Sequence, residues 1–289
     1  MKLLTVQNKV LINSYDREEK KMNKNIGFIG SGNMGGAMIG GIINASLLPS
    51  DKIYVSDINE ASLAHMKESY GVNTTTDNAE LAKVCDIIVL SVKPFLYPLV
   101  ISQIKDVVKE DVIIVVIAAG QSSQAVAELF GKEIKIVKTM PNTPALVGEG
   151  MAAISPAKNV SKEETEEIVA IFNSFGKCEI VPEHLMDAVT AVSGSSPAYV
   201  YMMIEAMADA AVVEGMPRPQ AYKFAAQSVL GSAKMVLETG KHPGELKDMV
   251  CSPGGTTIAA VAKLEETGFR SSIMQGMKAC ADKSREMSK

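Results

Sequence analysis

A glycine-rich segment directly after a short apolar run constrains the fold of this chain more than any other feature. The segment Gly30-Ser31-Gly32-Asn33-Met34-Gly35 fits the pattern G-x-G-x-x-G, and it follows the apolar run Ile26-Gly27-Phe28-Ile29. A helical pattern then begins with Ala37, Met38 and Ile39. A strand, a glycine-rich turn and a helix in this order are typical of a unit that binds a dinucleotide.

The three glycines have different tasks in such a unit. Gly30 permits the tight turn, Gly32 lets the backbone approach a pyrophosphate, and Gly35 lets the helix pack closely on the strand. The helix N-terminus supplies amide donors and a partial positive charge to the phosphates. An ordinary glycine-rich turn is the alternative. The candidate cofactor-binding residues of this loop are Gly30, Ser31, Gly32, Asn33, Met34 and Gly35.

The apolar pattern changes along the chain. Up to residue 182, short apolar runs alternate with helical patterns, which predicts an α/β fold with a doubly wound, Rossmann-like, mostly parallel sheet. The predicted strands cover residues 25–30, 52–57, 86–92, 111–118, 135–140, 150–155 and 178–181, with helices such as 32–44, 122–130 and 162–175. Ala- and Met-rich helical patterns then follow at 183–192, 198–214, 219–238, 244–250, 257–266 and 269–283.

Three parts follow from this change of pattern. We predict a poorly ordered extension over residues 1–24, a dinucleotide-binding domain over 25–182, and an all-α domain for dimerisation and substrate binding over 183–289. Helices this apolar are expected to complete their burial against a second chain. The chain should therefore form a homodimer, or a larger homo-oligomer built of dimers.

Composition argues against several other classes of protein. The net charge is −4, whereas a domain that grips nucleic acid is normally basic, and the absence of Trp argues against a base-stacking platform. No apolar run reaches the roughly 18 residues that a membrane helix needs. The four cysteines lie far apart without a Cys-x-x-Cys pair, so we expect no metal site and a reducing, cytoplasmic location.

The end of the second predicted strand bears on the choice of cofactor. Asp57 lies where an acid usually binds the adenosine ribose hydroxyls of NADH and repels the 2′-phosphate of NADPH. Capping of the next helix by Asp57 or Asn59 is the alternative. Ser56 offers a hydroxyl to a phosphate, so the sequence leaves both NADPH and NADH open.

Four further motifs complete a recognisable set. They are Ser91-Val92-Lys93-Pro94, then Met140-Pro141-Asn142-Thr143-Pro144, then residues 186–191 leading into Ser193-Gly194-Ser195-Ser196-Pro197-Ala198-Tyr199, and finally Ser252-Pro253-Gly254-Gly255-Thr256-Thr257. Together with the glycine-rich loop, and over residues 25–287, this set resembles the pyrroline-5-carboxylate reductase family. The resemblance implies hydride transfer from NADPH or NADH to the imine carbon of 1-pyrroline-5-carboxylate, giving L-proline in the last step of proline biosynthesis.

The resemblance also implies cofactor contacts beyond the glycine-rich loop. Asn78 matches a residue at the adenosine ribose, although a helix cap is the alternative. Small residues after the fourth predicted strand leave room for the nicotinamide, with tight packing as the alternative. Asn142 lies in a stiff loop between two prolines. The additional cofactor-binding candidates are Ser91, Val92, Lys93, Pro94, Ala118, Ala119, Gly120 and Asn142.

The segment of residues 252–257 is the candidate substrate site. Pro-Gly-Gly before Thr-Thr opens a helix, and free amides with two hydroxyls can bind a small carboxylate without an arginine. Thr257 is the catalytic candidate, as a hydrogen-bond partner of the ring nitrogen. Members of the family often carry a polar or acidic residue near Gly240, so no contact is assigned there. For Ser195 or Ser196, a plain N-cap of the long helix is the alternative to a role in the site. The substrate-binding candidates are Ser252, Gly254, Gly255, Thr256, Thr257 and Pro197.

Two other functions remain as alternatives. A β-hydroxyacid dehydrogenase shares the glycine-rich start, but it needs a lysine on the first long helix of its second domain, and residues 197–215 contain none. A non-catalytic dinucleotide sensor would keep the glycine-rich loop without a second anion pocket. The loop of residues 252–257 favours the reductase over both.

Overall fold

The computed structural model describes residues 22–287. Most of the predicted N-terminal extension, residues 1–21, lies outside this range. From Met22 the chain leads directly into the first strand, and Lys24 forms an ion pair with Glu167 at 2.5 Å between Nζ and Oε2.

One sheet carries the first part of the molecule. Its strands are β1 (Ile26–Ile29), β2 (Ile53–Ser56), β3 (Asn73–Thr75), β4 (Ile87–Leu90), β5 (Ile113–Val116), β6 (Lys135–Met140), β7 (Gly150–Pro156) and β8 (Gly176–Ile180). They pair in the order β3-β2-β1-β4-β5-β6-β7-β8. Only the β6–β7 pair is antiparallel, so the predicted Rossmann-like, mostly parallel sheet is confirmed.

The strand order fixes where a ligand binds. The chain runs outward from β1 to β2 and β3, then returns to place β4 on the other side of β1. In such sheets the ligand lies at the carboxyl ends of the strands, across the point where the order reverses. The glycine-rich loop after β1 and the segment after β4 therefore meet at one edge.

Helices cover both faces of the sheet and make up the second part of the chain. Those of the first part are α1 (Asn33–Asn44), α2 (Glu60–Tyr70), α3 (Asn78–Val84), α4 (Tyr97–Ile104), α5 (Ser123–Phe130) and α6 (Lys162–Asn173). The second part contains α7 (Met186–Val189), α8 (Ser196–Val213), α9 (Arg218–Thr239), α10 (Pro243–Val250), α11 (Thr256–Glu266) and α12 (Phe269–Met287).

The strands read as continuous apolar runs because both faces are buried. In β4, Ile87 and Val89 face one core with Met38 of α1, whereas Ile88 and Leu90 face the other core with Tyr97 of α4. Successive side chains of a strand point to opposite faces, so a buried central strand needs an apolar residue at every position.

The structure differs from the sequence-based expectation at two places. Strand β3 was not predicted, because Asn-Thr-Thr is polar and joins the sheet only at its edge. The helix predicted over residues 183–192 is wrong as a single element. A 3-10 turn (Glu183–Leu185), α7 and a π-helical turn (Thr190–Gly194) replace it, with Ser195 N donating to Thr190 O at 2.8 Å.

The helices of the second part leave large apolar side chains exposed. Val213 is 84% exposed, Leu237 83% and Phe224 67%, while α8 and α9 pack mainly against each other. Among residues 22–287, no helix is both long and apolar enough to cross a membrane. These exposed side chains are therefore a surface that a second protein chain can cover.

Candidate active site

The glycine-rich loop is shaped by close contacts between backbones. Gly30 has φ +105°, and a Cβ there would lie 2.9 Å from the backbone of Ser91. A Cβ on Gly35 would lie 2.5 Å from the carbonyl oxygen of Gly30. Around Gly32, by contrast, an added Cβ would meet nothing within 4 Å. The loop is thus tight where α1 joins the sheet and open where a ligand would approach.

The N-terminus of α1 is suited to an anion. Gly32 is its N-cap, no side chain caps it, and its first turn contains no acidic residue. Asn33 is exposed at the first position, while Met34 packs partly against the core. Uncapped amides and the helix dipole attract a phosphate. The residues present therefore fit the pyrophosphate of a dinucleotide.

Four other helices beside the sheet are capped by side chains instead, whereas α4, which continues a 3-10 turn, is not. Asn59 caps α2, Asp77 caps α3, Ser122 caps α5 and Ser161 caps α6. The alternative that Asp57 or Asn59 caps the next helix is confirmed for Asn59. The alternative of a cap at Asn78 is wrong, because Asp77 caps α3. The missing side-chain cap at α1 is consistent with a ligand taking that place.

The Asp57 carboxylate, which follows β2, holds the glycine-rich loop through hydrogen bonds from Ser31. Its Oδ2 accepts hydrogen bonds from Ser31 N and Ser31 Oγ, both at 2.7 Å, and its Oδ1 accepts one from Asn59 N at 2.9 Å. Burial raises the pKa of this carboxyl, but the hydrogen bonds from Ser31 and Asn59 outweigh burial and leave the pKa below its ordinary value. Asp57 is therefore an anion at neutral pH.

Two polar residues near this loop were missed by the sequence analysis. The Ser62 hydroxyl lies 2.7 Å from the Ser31 hydroxyl. The Gln103 side chain accepts a hydrogen bond from Asn78 Nδ2 at 2.7 Å, and Asn78 Oδ1 accepts one from the buried Ser56 hydroxyl at 2.7 Å. No motif marks Ser62 or Gln103, since each reaches its partner from a helix distant in sequence.

The segment after β4 lies directly against the glycine-rich loop. The Ser91 hydroxyl donates to the carbonyl oxygens of Gly30, at 2.6 Å, and of Ile29, at 3.0 Å. Val92 packs beside Gly30, and Lys93 is exposed before a 3-10 turn that begins at Pro94. The structure thus brings residues 30–35 and 91–94 together, as the strand order requires.

Ala118, Ala119 and Gly120 follow β5 at the same edge of the sheet. Ala118 is buried, and Gly120 has φ +73°, a conformation that favours glycine. A Cβ on Gly120 would lie 2.8 Å from Cβ of Met287, at the end of α12. Glycine is therefore required at position 120, four residues after the end of β5.

Asn142 joins the sheet to the helical part. Its Nδ2 donates to Ser193 O at 3.1 Å, and its Oδ1 accepts from Met151 N at 2.9 Å. The residue is only 8% exposed. A mostly apolar cavity of about 430 Å³ lies beside Asn142, Val189 and Ser193. The side-chain amide of Asn142 is thus already engaged, and its contact with a cofactor stays a prediction.

The loop of residues 252–257 prepares a second uncapped helix N-terminus. Gly254 has φ +65°, and Gly255 N donates to Ser252 O at 3.0 Å, which turns the chain into α11. Gly255 is the N-cap and no side chain caps the helix. Thr256 is exposed and Thr257 half-buried in its first turn. This arrangement suits a small carboxylate.

Within one chain, this loop lies apart from the pockets near the sheet. It lines neither the 430 Å³ cavity nor a groove of about 730 Å³ that runs along α1 from Ser31. Helix α10 packs against α9, and α11 packs against α12.

Pro197 lies in the first turn of α8, far along the sequence from the loop. Ser195 occupies the N-cap position of that helix, but its hydroxyl accepts a hydrogen bond from Cys280 Sγ at 3.2 Å instead of capping the helix. The alternative that Ser195 is the N-cap of α8 is therefore confirmed for its position, although its side chain forms no capping hydrogen bond.

Two family descriptions match this chain. Residues 183–287 match "Pyrroline-5-carboxylate reductase dimerisation", and residues 25–120 match "NADP oxidoreductase coenzyme F420-dependent". The chain is 50% identical over 268 residues to the pyrroline-5-carboxylate reductase of Escherichia coli (strain K12), covering 93% of this chain and 100% of that protein. It is 43% identical over 267 residues to the enzyme of Methanosarcina acetivorans, covering 92% and 99%.

Solved structures give the same similarity. A pyrroline-5-carboxylate reductase from Coxiella burnetii superposes with a TM-score of 0.87 and 33% identity, over 93% of this chain and 100% of that one. The Plasmodium falciparum pyrroline carboxylate reductase, solved with NADP bound, gives a TM-score of 0.84 and 36% identity, over 92% and 99%.

The contact between Gly35 and Gly30 predicts a sharp contrast between neighbouring glycines. Gly35→Ala should weaken NADPH binding by about tenfold or more, because the new methyl group collides with backbone and must displace the loop. Gly36→Ala is the matched control, since its methyl would lie 3.3 Å from the flexible end of Met66. Fluorescence titration measures both, and equal affinities would contradict the proposed loop geometry.

The charge of Asp57 predicts a change in cofactor preference. Asp57→Ser should raise the NADPH-to-NADH ratio of kcat/KM. The Asp57 carboxylate repels the 2′-phosphate of NADPH, which NADH lacks, and serine removes that repulsion. Losing the hydrogen bonds that Asp57 accepts from Ser31 should weaken the binding of both cofactors equally. The ratio therefore reports only the effect of the Asp57 charge. Asn59→Ser, which retains a capping side chain, is the control. An unchanged ratio would limit Asp57 to supporting the loop.

Proposed function

The chain belongs to the pyrroline-5-carboxylate reductase family, and from this premise we propose how its residues divide the work of the reaction. The enzyme transfers a hydride from NADPH or NADH to the imine carbon of 1-pyrroline-5-carboxylate and so forms L-proline. The observation that carries the assignment of roles is the pair of uncapped, glycine-opened helix N-termini, at α1 and at α11. Each suits one anion, the cofactor pyrophosphate and the substrate carboxylate.

The dinucleotide lies across the carboxyl ends of the parallel strands. The bound nicotinamide supplies the hydride. The N-terminus of α1 binds the pyrophosphate, and Asp57, Ser56 and Asn78 lie on the adenosine side, towards β2 and β3. Ser91–Pro94 after β4 and Ala118–Gly120 after β5 would hold the nicotinamide half.

The substrate binds at α11. Backbone amides of the Ser252–Thr257 loop hold its carboxylate, and the Thr257 hydroxyl forms a hydrogen bond with the ring nitrogen. The exposed position of Thr256 and the half-buried position of Thr257 support this division between them. Residues of one short loop then orient the ring and fix which carbon faces the hydride donor.

The reaction does not require a strong general acid. An imine is protonated far more readily than a ketone, so the substrate can arrive as an iminium. The three histidines lie outside the proposed site: His65 is on α2, His184 is in the turn before α7, and His242 caps α10 by accepting from Gly244 N at 3.1 Å. Positioning therefore supplies most of the rate enhancement.

The helical part carries a dimerisation domain, and we place the complete active site between two chains. The exposed apolar faces of α8 and α9 support a homodimer, or a larger homo-oligomer built of dimers. The loop of residues 252–257 would then approach the dinucleotide domain of the partner chain. We assign residues 25–182 to the dinucleotide domain and 183–289 to the helical domain.

The four free cysteines support a reducing, cytoplasmic location.

Oxidation of NADPH or NADH in the presence of 1-pyrroline-5-carboxylate, followed by absorbance, tests the function. Turnover to L-proline is expected. A dehydrogenase acting on a β-hydroxyacid is disfavoured, because α8 contains neither Lys nor Arg as a proton donor. Turnover of a β-hydroxyacid instead of the cyclic imine would reverse this order.

Replacing the Thr257 hydroxyl should damage catalysis selectively. Thr257→Val keeps the shape of the side chain, and leaving a buried polar partner unpaired costs about 1–3 kcal/mol, or roughly five- to 150-fold in kcat/KM. NADPH affinity should remain nearly unchanged. Steady-state kinetics and fluorescence titration measure the two effects. Thr256→Val is the matched control, and an unchanged kcat/KM for Thr257→Val would leave the backbone amides as the substrate anchor.

Mixing two defective chains tests whether the site spans the dimer. A Gly35→Ala chain has a defective dinucleotide loop, and a Thr257→Val chain has a defective substrate loop. If each site uses one loop from each chain, a mixed dimer contains one intact site and activity should recover to about half that of a wild-type dimer. If both loops of a site belong to one chain, both sites stay defective and no recovery occurs.

A further inference from the structure

One carboxylate oxygen of Glu183 connects the helical part to α5 and to β6. None of the residues that it contacts is proposed to bind cofactor or substrate. Glu183 begins the helical part, in the 3-10 turn before α7. Its Oε1 accepts a hydrogen bond from Ser123 N, at the first residue of α5, over 2.8 Å. The same oxygen lies 3.6 Å from Nζ of Lys138 in β6.

The opposite charges of Lys138 and Glu183 stabilise each other at this junction. The Lys138 side chain is 8% exposed and that of Glu183 is 37% exposed, so the lysine is the more buried partner. A buried ammonium is stable only with a close anion. A carboxylate at the N-terminus of α5 is also favoured by the helix dipole. Glu183 thus balances the charge of the sheet residue and the dipole of the helix at once.

The junction borders the part of the sheet that receives the nicotinamide. Lys138 pairs in register with Val116, the last residue of β5, and Ser123 opens α5. Residues 117–122, including Ala118–Gly120, connect these two points. The loop therefore runs from Val116, whose register partner Lys138 lies beside Glu183, to Ser123, which donates to Glu183 directly. A second link, from Asn142 Nδ2 to Ser193 O at 3.1 Å, joins the end of β6 to the helical part nearby.

We propose that Glu183 is a positioning residue, which sets the Ala118–Gly120 loop relative to the helical domain through Ser123 and Lys138. It does not touch the reacting atoms. Its effect is to fix the nicotinamide half of the site relative to the helical domain of its own chain, through which the proposed dimer presents the partner chain's substrate loop. The proposal rests on the proposed function only for its kinetic consequence, because the contact with the loop exists in the free protein.

Position 123 allows a clean test. Ser123→Pro removes the N–H that Glu183 accepts, while proline is well tolerated at the first residue of a helix. Ser122 before it has φ −84° and ψ 152°, which suits a residue preceding proline. Ser123→Ala is the matched control. It keeps the N–H and removes a buried hydroxyl that finds no hydrogen-bond partner among residues 22–287.

The kinetic arm compares full-length variants on 1-pyrroline-5-carboxylate. Ser123→Pro and Glu183→Gln should lower kcat by about tenfold, because small displacements of reacting groups cost large factors in rate. NADPH affinity should stay within about twofold, and the primary deuterium isotope effect from labelled NADPH should rise as hydride transfer becomes slower. Ser123→Ala should behave as wild type, as should Glu166→Gln, which breaks an exposed ion pair with Lys162.

The structural arm needs neither cofactor nor substrate. Amide hydrogen exchange over residues 117–122 should become faster in Ser123→Pro and Glu183→Gln than in Ser123→Ala, with exchange in α1 unchanged. Lys138→Met should reproduce the Glu183→Gln effect, and the double variant should be no worse than either single variant.

Wild-type kcat and isotope effects in folded Ser123→Pro and Glu183→Gln would overturn the proposal, as would unchanged exchange over residues 117–122. Loss of NADPH affinity instead of kcat would also overturn it. If Ser123→Pro does not fold, Glu183→Gln and its exchange profile decide alone. A wild-type enzyme inactive on 1-pyrroline-5-carboxylate would contradict the proposed function, while the exchange comparison would still test the role of Glu183.

Discussion

The site depends on the close approach of three backbones at the start of α1. Gly35 lies against the carbonyl of Gly30, and Gly30 lies against the backbone of Ser91, at distances that leave no room for a Cβ. The Ser91 hydroxyl then binds the Gly30 carbonyl and fastens the loop to the end of β4. Because these contacts place the N-terminus of α1 directly over the carboxyl edge of the sheet, the first amides of the helix face the crevice where a dinucleotide binds.

A common device serves both proposed anion sites. Helices α2, α3, α5 and α6 are each capped by a side chain of the residue before them, whereas α1 and α11 begin after a glycine and carry no side-chain cap. When a side chain accepts hydrogen bonds from the first backbone amides of a helix, fewer free N–H donors remain to bind a ligand. Glycine leaves these donors available and lets a ligand come close, so each proposed site can bind a small anion without an arginine in its loop.

The two sites are carried by parts of the chain with different packing. The sheet buries both faces within one chain, with Phe28 and Val89 on one side and Ile88 and Tyr97 on the other. The helical part instead exposes large side chains such as Val213 and Leu237, which indicates that its core is completed between chains. Glu183 lies where the two parts join. Its ion pair with Lys138 connects strand β6 of the sheet to the first turn of the helical part.

The sequence alone determined the fold class, the glycine-rich loop and the positions of seven strands along the chain, because continuous apolar runs and a G-x-G-x-x-G turn are local patterns. It did not reveal β3, whose polar residues join an edge, nor the broken helix before α8, where backbone donors shift to a π-helical pattern. Only the tertiary structure decided that Asp57 holds Ser31, that Asn78 binds Ser56 and that Glu183 contacts Lys138. These contacts join residues 22 to 45 positions apart, and no local periodicity carries information about which polar side chains meet across a folded sheet.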